Sequence, residues 1–433
     1  MMSLLVVAAI VVAVALGYKT KINIGLFAIA FAYLIGAFGM GLSPSEIIGM
    51  WPLKIFFVIF SVCLFYSFAT VNGTLEKLAE HLIYHCRSVP QLLPFAVFFT
   101  ATVISAMGAG YYTVLAFMAP ITLLLCERTG MSLIAGGMAV NYGALSGANF
   151  VSSQSGIIFR GLMVNAGIPE NEAFINALGI FVSTLVIPVL VISVLVFMTN
   201  QGRAMKASAY VATAPTPLNR EQKITLWLTL AMMAIVLAAP IAHLLLPANA
   251  TVTFINSKMD IGLIASLFSV IALLLKLGDE RKAMASVPWA TLIMICGVGM
   301  LISVAIKAGT IDVLASWMGN SIPPILVPLV FGIVAAFMSL FSSTLGVVTP
   351  ALFPMVPPIA SALGLDPLVL FVAIVVGSQA TSISPFSSGG SLILGSCPTE
   401  QSRTSLFPQL LFRAAPLGFV AALVFNVLLT VLY

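Results

Sequence analysis

The chain has 433 residues, 61% hydrophobic and 7% charged, with 18 Lys and Arg against 13 Asp and Glu for a net charge of +5. Soluble domains carry roughly 25% charged residues, so a soluble enzyme is excluded. The basic residues stand singly beside apolar runs, which excludes a nucleic-acid partner, and the absence of period-two alternation excludes a membrane barrel; an all-α polytopic membrane protein is left.

The first apolar run, 3–17, lacks a basic leader and is followed by Lys19 and Lys21. It therefore reads as a first span with its N-terminus outside, not as a signal peptide. Spans over 22–42 and 51–71 follow, then a charged, amphipathic segment, Gly73–Arg87. Its His81 and His85 are four apart but have no third or fourth ligand at a defined spacing, so an interfacial helix is the reading rather than a zinc site.

The block 90–126 turns at Ser105-Ala106-Met107-Gly108-Ala109-Gly110, a stretch that is small and uncharged. A loop in water between two spans should carry charge, whereas irregular backbone inside a membrane survives where protein or a wet cavity surrounds it. The block is accordingly predicted to be a re-entrant hairpin. The span 131–164 is long and is interrupted by Gly143-Ala144-Leu145-Ser146-Gly147-Ala148-Asn149-Phe150-Val151-Ser152-Ser153-Gln154-Ser155-Gly156, where the helix should unwind. A span at 174–199 completes the first half.

Residues 201–222, with Pro215 and Pro217, are predicted to be a cytoplasmic linker. Spans at 223–246, 260–278 and 288–306 lead to a second charged segment, Thr310–Asn320. A second hairpin is expected at 322–365, with its tip at Ser342-Ser343-Thr344-Leu345-Gly346, and a second broken helix at 366–398, where Pro385 removes a backbone donor. The last span is 406–433. The sum is about ten transmembrane helices plus two re-entrant hairpins. With that map only Lys54, Arg160, Lys258 and Lys307 fall on one side and the other 14 of the 18 basic residues on the opposite side, so both termini are predicted outside. The five cysteines have no CxxC spacing and read as packing residues.

The chain resembles itself. Val71-Asn72-Gly73-Thr74-Leu75-Glu76-Lys77-Leu78-Ala79 aligns with Lys307-Ala308-Gly309-Thr310-Ile311-Asp312-Val313-Leu314-Ala315, Pro52 with Pro288, Ser105 with Ser339, Pro120 with Pro354, and Ser153-Gln154-Ser155-Gly156 with Ser387-Ser388-Gly389-Gly390. Residues 1–200 and 223–433 are thus expected to be two repeats. Five crossings in each would set them in inverted orientation, the arrangement of secondary transporters.

Paired breaks expose helix N-termini that favour an anion, while freed carbonyls and Ser, Thr, Asn and Gln oxygens suit a small cation. The expected substrate site comprises Gly108, Ala109 and Gly110 at the first tip, Ser152, Ser153, Gln154 and Ser155 at the first break, Ser342, Ser343 and Thr344 at the second tip, and Ser384, Pro385, Ser387 and Ser388 at the second break. Candidate Na⁺ sites comprise Ser105, Gly147, Asn149, Ser339, Thr381 and Ser382. None of the 13 carboxylates falls at mid-span, which favours Na⁺ over a proton relay as the coupling ion. No cofactor and no catalytic residue are expected: no HExxH, paired-aspartate or serine-protease pattern occurs, so an intramembrane enzyme is only a remote alternative. Arg160, beside the first broken helix, either attracts a carboxylate or snorkels to the interface.

The stretch from Gly49-Met50-Trp51-Pro52 through Val71-Asn72-Gly73-Thr74 to Ala119-Pro120-Ile121 resembles the N-terminal domain of the malonate/dicarboxylate carrier family, in the wider ion-transporter group that includes the divalent-anion/sodium symporters. The resemblance implies a homodimeric elevator carrier in the cytoplasmic (inner) membrane, importing a small dicarboxylate with sodium. Those symporters carry Ser-Asn-Thr at each hairpin tip. Here the tips read Gly108-Ala109-Gly110-Tyr111-Tyr112 and Ser342-Ser343-Thr344-Leu345-Gly346, a departure that leaves no asparagine amide at the first. The unwound segments Ser152–Ser155 and Ser384–Ser388 match better, Pro385 included. The alternative within transport is the large membrane subunit of a tripartite, binding-protein-dependent carboxylate transporter.

Overall fold

The computed structural model describes every residue except 1, 86–91, 199–214, 247, 311–312, 314–315, 317–320, 342 and 433. Among the described residues every regular element is helical, as expected of an all-α polytopic membrane protein. Most of the linker, Cys86 and the second-tip residue Ser342 lie outside the described residues.

The first half contains α1 (Met2–Thr20), α2 (Ile24–Tyr33, running into a widened turn Leu34–Gly39), α3 (Pro44–Gly49), α4 (Leu53–Val71), α5 (Thr74–His85), α6 (Leu93–Ile104), α7 (Tyr111–Thr129), α8 (Leu133–Ala148), α9 (Gln154–Asn165) and α10 (Glu170–Met198). The second contains α11 (Arg220–Leu245), α12 (Ala250–Lys258), α13 (Ile261–Leu274), α14 (Glu280–Ala285), α15 (Trp289–Lys307), α16 (Val327–Phe341), α17 (Thr344–Leu363, a rod of mixed helical turns), α18 (Pro367–Ala380), α19 (Ser388–Gly395), α20 (Glu400–Gln409) and α21 (Ala415–Leu432). Seven of the described helices are long and apolar enough to cross a membrane, and α12 with α13 forms an eighth, bent by 66°. Both broken spans are divided as the sequence implied, at 149–153 and 381–387. The second limbs of the two predicted re-entrant hairpins, α7 and α17, are 19 and 20 residues long and are among these seven, so each is long enough for a full crossing, where a re-entrant limb needs about half of one. Helix α12 was not anticipated.

Packing recurs between the halves at nearly constant spacing. Pro52 and Pro288 precede α4 and α15 with φ/ψ of −76/72 and −77/66. Gly73 and Gly309 take φ of 73° and 72°. A Cβ on Gly143 would meet the Phe98 carbonyl at 2.4 Å, and one on Gly377, 234 residues later, would meet the Gly332 carbonyl at 2.3 Å, so α6 crosses α8 as α16 crosses α18. The turn at each break is also the same: Gly156 lies under the Phe150 carbonyl (2.1 Å to a built Cβ) and Gly390 under that of Ser384 (2.0 Å). Substituting either glycine would force backbone apart, which explains why both breaks contain one at this place.

Two cores result. One packs α6, α7 and α8 with Leu406 and Leu410; the other packs α15, α16, α17 and α18 with α9. Helices α4 and α15 press on the hairpin tips. A Cβ on Gly108 would sit 2.0 Å from the Tyr66 ring of α4, and one on Gly346 1.9 Å from Met294 Cε of α15. The turn after α4 is fixed to the second half by Asn72, whose Nδ2 donates to Thr225 Oγ1 (2.7 Å) and the Leu277 carbonyl (3.0 Å).

Candidate functional site

Each tip is shaped by its local sequence. Helix α6 ends in a widened turn, Ser105–Ala109, and Gly108 (φ 96°) and Gly110 (φ 75°) reverse the chain into α7. Those dihedrals are open to glycine and strained for other residues. Gly110 precedes α7 with no side chain capping the first amides. At the second tip Ser343 Oγ accepts from the Gly346 amide (3.2 Å), and Thr344 Oγ1 lies 3.2 Å from Ser339 Oγ.

The breaks differ in their caps. Ser153 begins α9 without a side-chain cap and instead donates from Oγ to the Ser105 carbonyl at 2.7 Å, tying the first break to the first tip. Ser105 Oγ donates in turn to the Ala144 carbonyl at 2.7 Å. Ser387 caps α19, accepting from the Gly390 amide at 3.1 Å. Thr381 Oγ1 donates to the Ala336 carbonyl at 3.1 Å, at the place corresponding to Gly147, whose built Cβ would meet the Thr102 carbonyl at 2.1 Å.

The two breaks are joined by buried polar side chains. Asn149 Nδ2 donates to Gln379 Oε1 at 2.9 Å and Gln379 Nε2 returns to Asn149 Oδ1 at 3.0 Å. Beside this pair Tyr111 donates to Asn141 Oδ1 (2.7 Å), Asn141 Nδ2 donates to Ser382 Oγ (3.0 Å), and Tyr142 donates to the Ala380 carbonyl (2.8 Å).

A cavity opens between the tips and the breaks, with about 470 Å³ of empty space including its open mouth. Of the residues predicted for the substrate site, Ser155, Ser343, Thr344, Ser387 and Ser388 line it, and so do Ser339 and Ser382, which were expected to hold Na⁺. Gly108, Ala109 and Gly110 do not line it; the first tip contributes Tyr111 and Tyr112 instead. Ser152, Ser153, Gln154, Ser384 and Pro385 also fall outside its lining, as do Ser105, Gly147, Asn149 and Thr381. Several of these are structural: Ser153 bonds to Ser105, and Gln154 Oε1 fills the space beside Gly110 (2.3 Å to a built Cβ). Ser152 differs, because its Oγ is buried with no hydrogen-bond partner.

The lining also takes in Tyr111, Tyr112, Leu145, Leu345, Gln379 and Gly389, which lie within the predicted tips and breaks but were not among the residues singled out for binding. An aromatic pair directly after a helix-breaking glycine was a usable signal, since residues in a first helical turn face whatever the helix N-terminus faces. Arg160 lies outside this cavity too.

Among the described residues no Asp, Glu, Lys, Arg or His lines the cavity. It is faced instead by the opening turns of α7 (Tyr111, Tyr112), α9 (Ser155), α17 (Thr344, Leu345) and α19 (Ser388, Gly389). Amides in a first turn have no intrahelical acceptor and carry partial positive charge, so four such turns around one space favour an anion with hydroxyl-bearing neighbours.

Residues 1–148 match the family model described as the N-terminus of the dicarboxylate carrier protein MatC, in agreement with the resemblance read from the sequence. No curated protein matches the chain. Among solved structures it is similar to the YdaH transporter of Alcanivorax borkumensis, described as having an unusual topology, with 17% identity, a TM-score of 0.62 and coverage of 89% of this chain and 86% of that one. It is also similar to MtrF of Neisseria gonorrhoeae, described with a class of antimetabolite efflux pumps, with 14% identity, a TM-score of 0.55 and coverage of 89% and 82%. At these identities the structures establish shared fold alone. The family model over the first third of the chain is that of a carrier protein, and the shared fold is that of a multi-pass helical membrane protein.

Proposed function

We propose that this chain is a secondary carrier for a small dicarboxylate, malonate-like or four-carbon, driven by Na⁺ across the cytoplasmic membrane. The observation that carries the reading is the cavity without charged side chains onto which four helix N-termini open. Its small size supports a short substrate. No basic side chain neutralises the second carboxylate, so a co-bound cation supplies the remaining charge.

For that cation we place one site near Ser105, Gly147 and Asn149, where the unpartnered Ser152 Oγ supplies a ligand, and a second near Ser339, Thr381 and Ser382. The hairpins, broken helices and cavity form the moving body and α4 and α15 part of the fixed one. Tight seats for Gly108 on Tyr66 and Gly346 on Met294 are then the contacts that sliding must exchange. In this reading the halves are inverted repeats, the protein is a homodimer, and both termini lie outside.

Reconstitution of the chain alone in vesicles with an imposed Na⁺ gradient tests this. Na⁺-dependent uptake of labelled malonate or a four-carbon dicarboxylate is the expected result. Uptake that requires an added binding protein would replace it with the tripartite reading, and uptake indifferent to Na⁺ would remove the coupling.

A further inference from the structure

A second cleft, separate from the cavity, opens where the C-terminal ends of α9 and α11 meet the N-terminal ends of α4, α10 and α13. It is the roomier of the two, about 770 Å³ with its open mouth. Its walls are apolar, from Ile55, Val58, Val236 and Ile264 among others, and four charged residues stand in it: Lys54, Arg160, Glu170 and Asp260. Two are cationic and two anionic.

Arg160 is the unusual member. Its side chain is only 15% exposed and its guanidinium lies 5.3 Å from the centre of the Phe174 ring. The nearest carboxylate, on the largely exposed Glu170, is 3.8 Å away, longer than a charge-assisted hydrogen bond, and the Arg160 Nε is buried with no partner. Its guanidinium faces the cleft while Nε stays buried behind it. A buried guanidinium with an unmet N–H is costly, and an acceptor from outside the chain would remove that cost. Asp260 is held in place by its own cap, accepting from the Leu263 amide at 2.9 Å.

The charge pattern selects the ligand. A dianion at Arg160 would also face Glu170 and Asp260, whereas a group with one phosphate and one ammonium meets a partner for each charge. Apolar walls at the ends of five apolar helices, where a bilayer's head groups begin, call for acyl chains on the same molecule. We propose that this cleft binds a zwitterionic phospholipid with a primary amine in its head group. The phosphate lies on Arg160 and Lys54, the ammonium on Glu170 and Asp260, and one acyl chain runs along Val58, Val236 and Ile264. The site is independent of the carrier reading, since none of its residues lines the cavity.

The test is thermal unfolding of the delipidated full chain in detergent, with phosphatidylethanolamine, phosphatidylcholine or phosphatidylglycerol added, because a ligand that favours the folded state raises its apparent Tm. The ethanolamine lipid is expected to raise Tm at least twice as far as either of the others. Choline lacks N–H donors for Glu170 and Asp260, and glycerol lacks the positive charge. Arg160→Gln and Asp260→Asn should each abolish the difference; Asn retains the capping oxygen, so the second variant carries the test should the first not fold. Lys258→Gln, outside the cleft, should leave it intact. Equal shifts from the three lipids would overturn the proposal. So would a full shift from soluble phosphoethanolamine, which would mark a small-solute site, or an Arg160-dependent shift from malonate without lipid, which would mark an anion site.

Discussion

Asn149 and Gln379, 230 residues apart, bond reciprocally: each buried side-chain amide donates to the other's oxygen, at 2.9 and 3.0 Å. The pair joins the end of α8 to the end of α18, so the two breaks are held at a fixed separation by a contact that neither half can make alone. A fifth oxygen or nitrogen joins from α10, where Thr184 Oγ1 lies 3.0 Å from Asn149 Nδ2.

Removing one partner leaves the other amide buried and unmet, at a cost of about 1–3 kcal/mol. Asn149→Ala and Gln379→Ala are each expected to lower stability by that order, and the double variant by clearly less than the sum. A double-mutant cycle on thermal unfolding checks this; additive losses would show that the pair is not coupled.

Gly108 combines a positive φ with contact against Tyr66. Gly108→Ala is expected to abolish uptake and folding yield together, and Tyr66→Ala to relieve only the steric part. Gly130→Ala, where φ is also positive but a Cβ meets open space, should cost about 1 kcal/mol and retain uptake. Membrane levels and initial rates of uptake measure both.

Thr344→Val and Ser388→Ala change cavity hydroxyls and are expected to reduce uptake at least tenfold with little change in Tm. Ser269, whose Oγ is spent on the Ala265 carbonyl one turn back (2.9 Å), lies away from the cavity, so Ser269→Ala should leave uptake near that of the parent. Equal loss in all three at matched membrane levels would sink the site assignment.

Ser152 Oγ has no hydrogen bond to lose. If it serves Na⁺ as proposed, Ser152→Ala should raise the Na⁺ concentration needed for half-maximal uptake severalfold while Tm without Na⁺ stays put. An unchanged Na⁺ dependence would show that the oxygen is not a ligand.

Glu46 is held at a pKa of about 2, below its ordinary 4.5, first by the Ser43 amide and then by Lys307, which lies 3.0 Å away. Because the folded-state value is the lower one, the contribution of this group is complete above the unfolded value and is lost as pH falls towards 2. Glu46→Gln is therefore expected to flatten the part of the acid-stability profile between those values. A profile identical to the parent's between pH 5 and 2 would refute it.

Much was legible before any coordinates. The breaks fall where glycine and hydroxyl residues accumulate, the charged α5 follows α4, and the hairpin tips occur at Gly108–Gly110 and beside Ser343, because helix interruption is a local property of backbone freedom and side-chain competition. Which residues face the cavity was not legible. Gly108 turned out to seat Tyr66, Ser153 to bond Ser105, and the two tyrosines after the tip to line the space.

Residence in a bilayer, helicity and the places where the helices fail all follow from the order of the residues, since transfer of apolar surface and the φ/ψ limits of glycine and proline act over a few residues. Only the tertiary structure decided that Asn149 meets Gln379, that four helix N-termini share one cavity, and that Arg160 is walled into another. Those outcomes depend on the rotation of one helix against another after a break, which is fixed by the close packing of segments hundreds of residues apart and has no local signature.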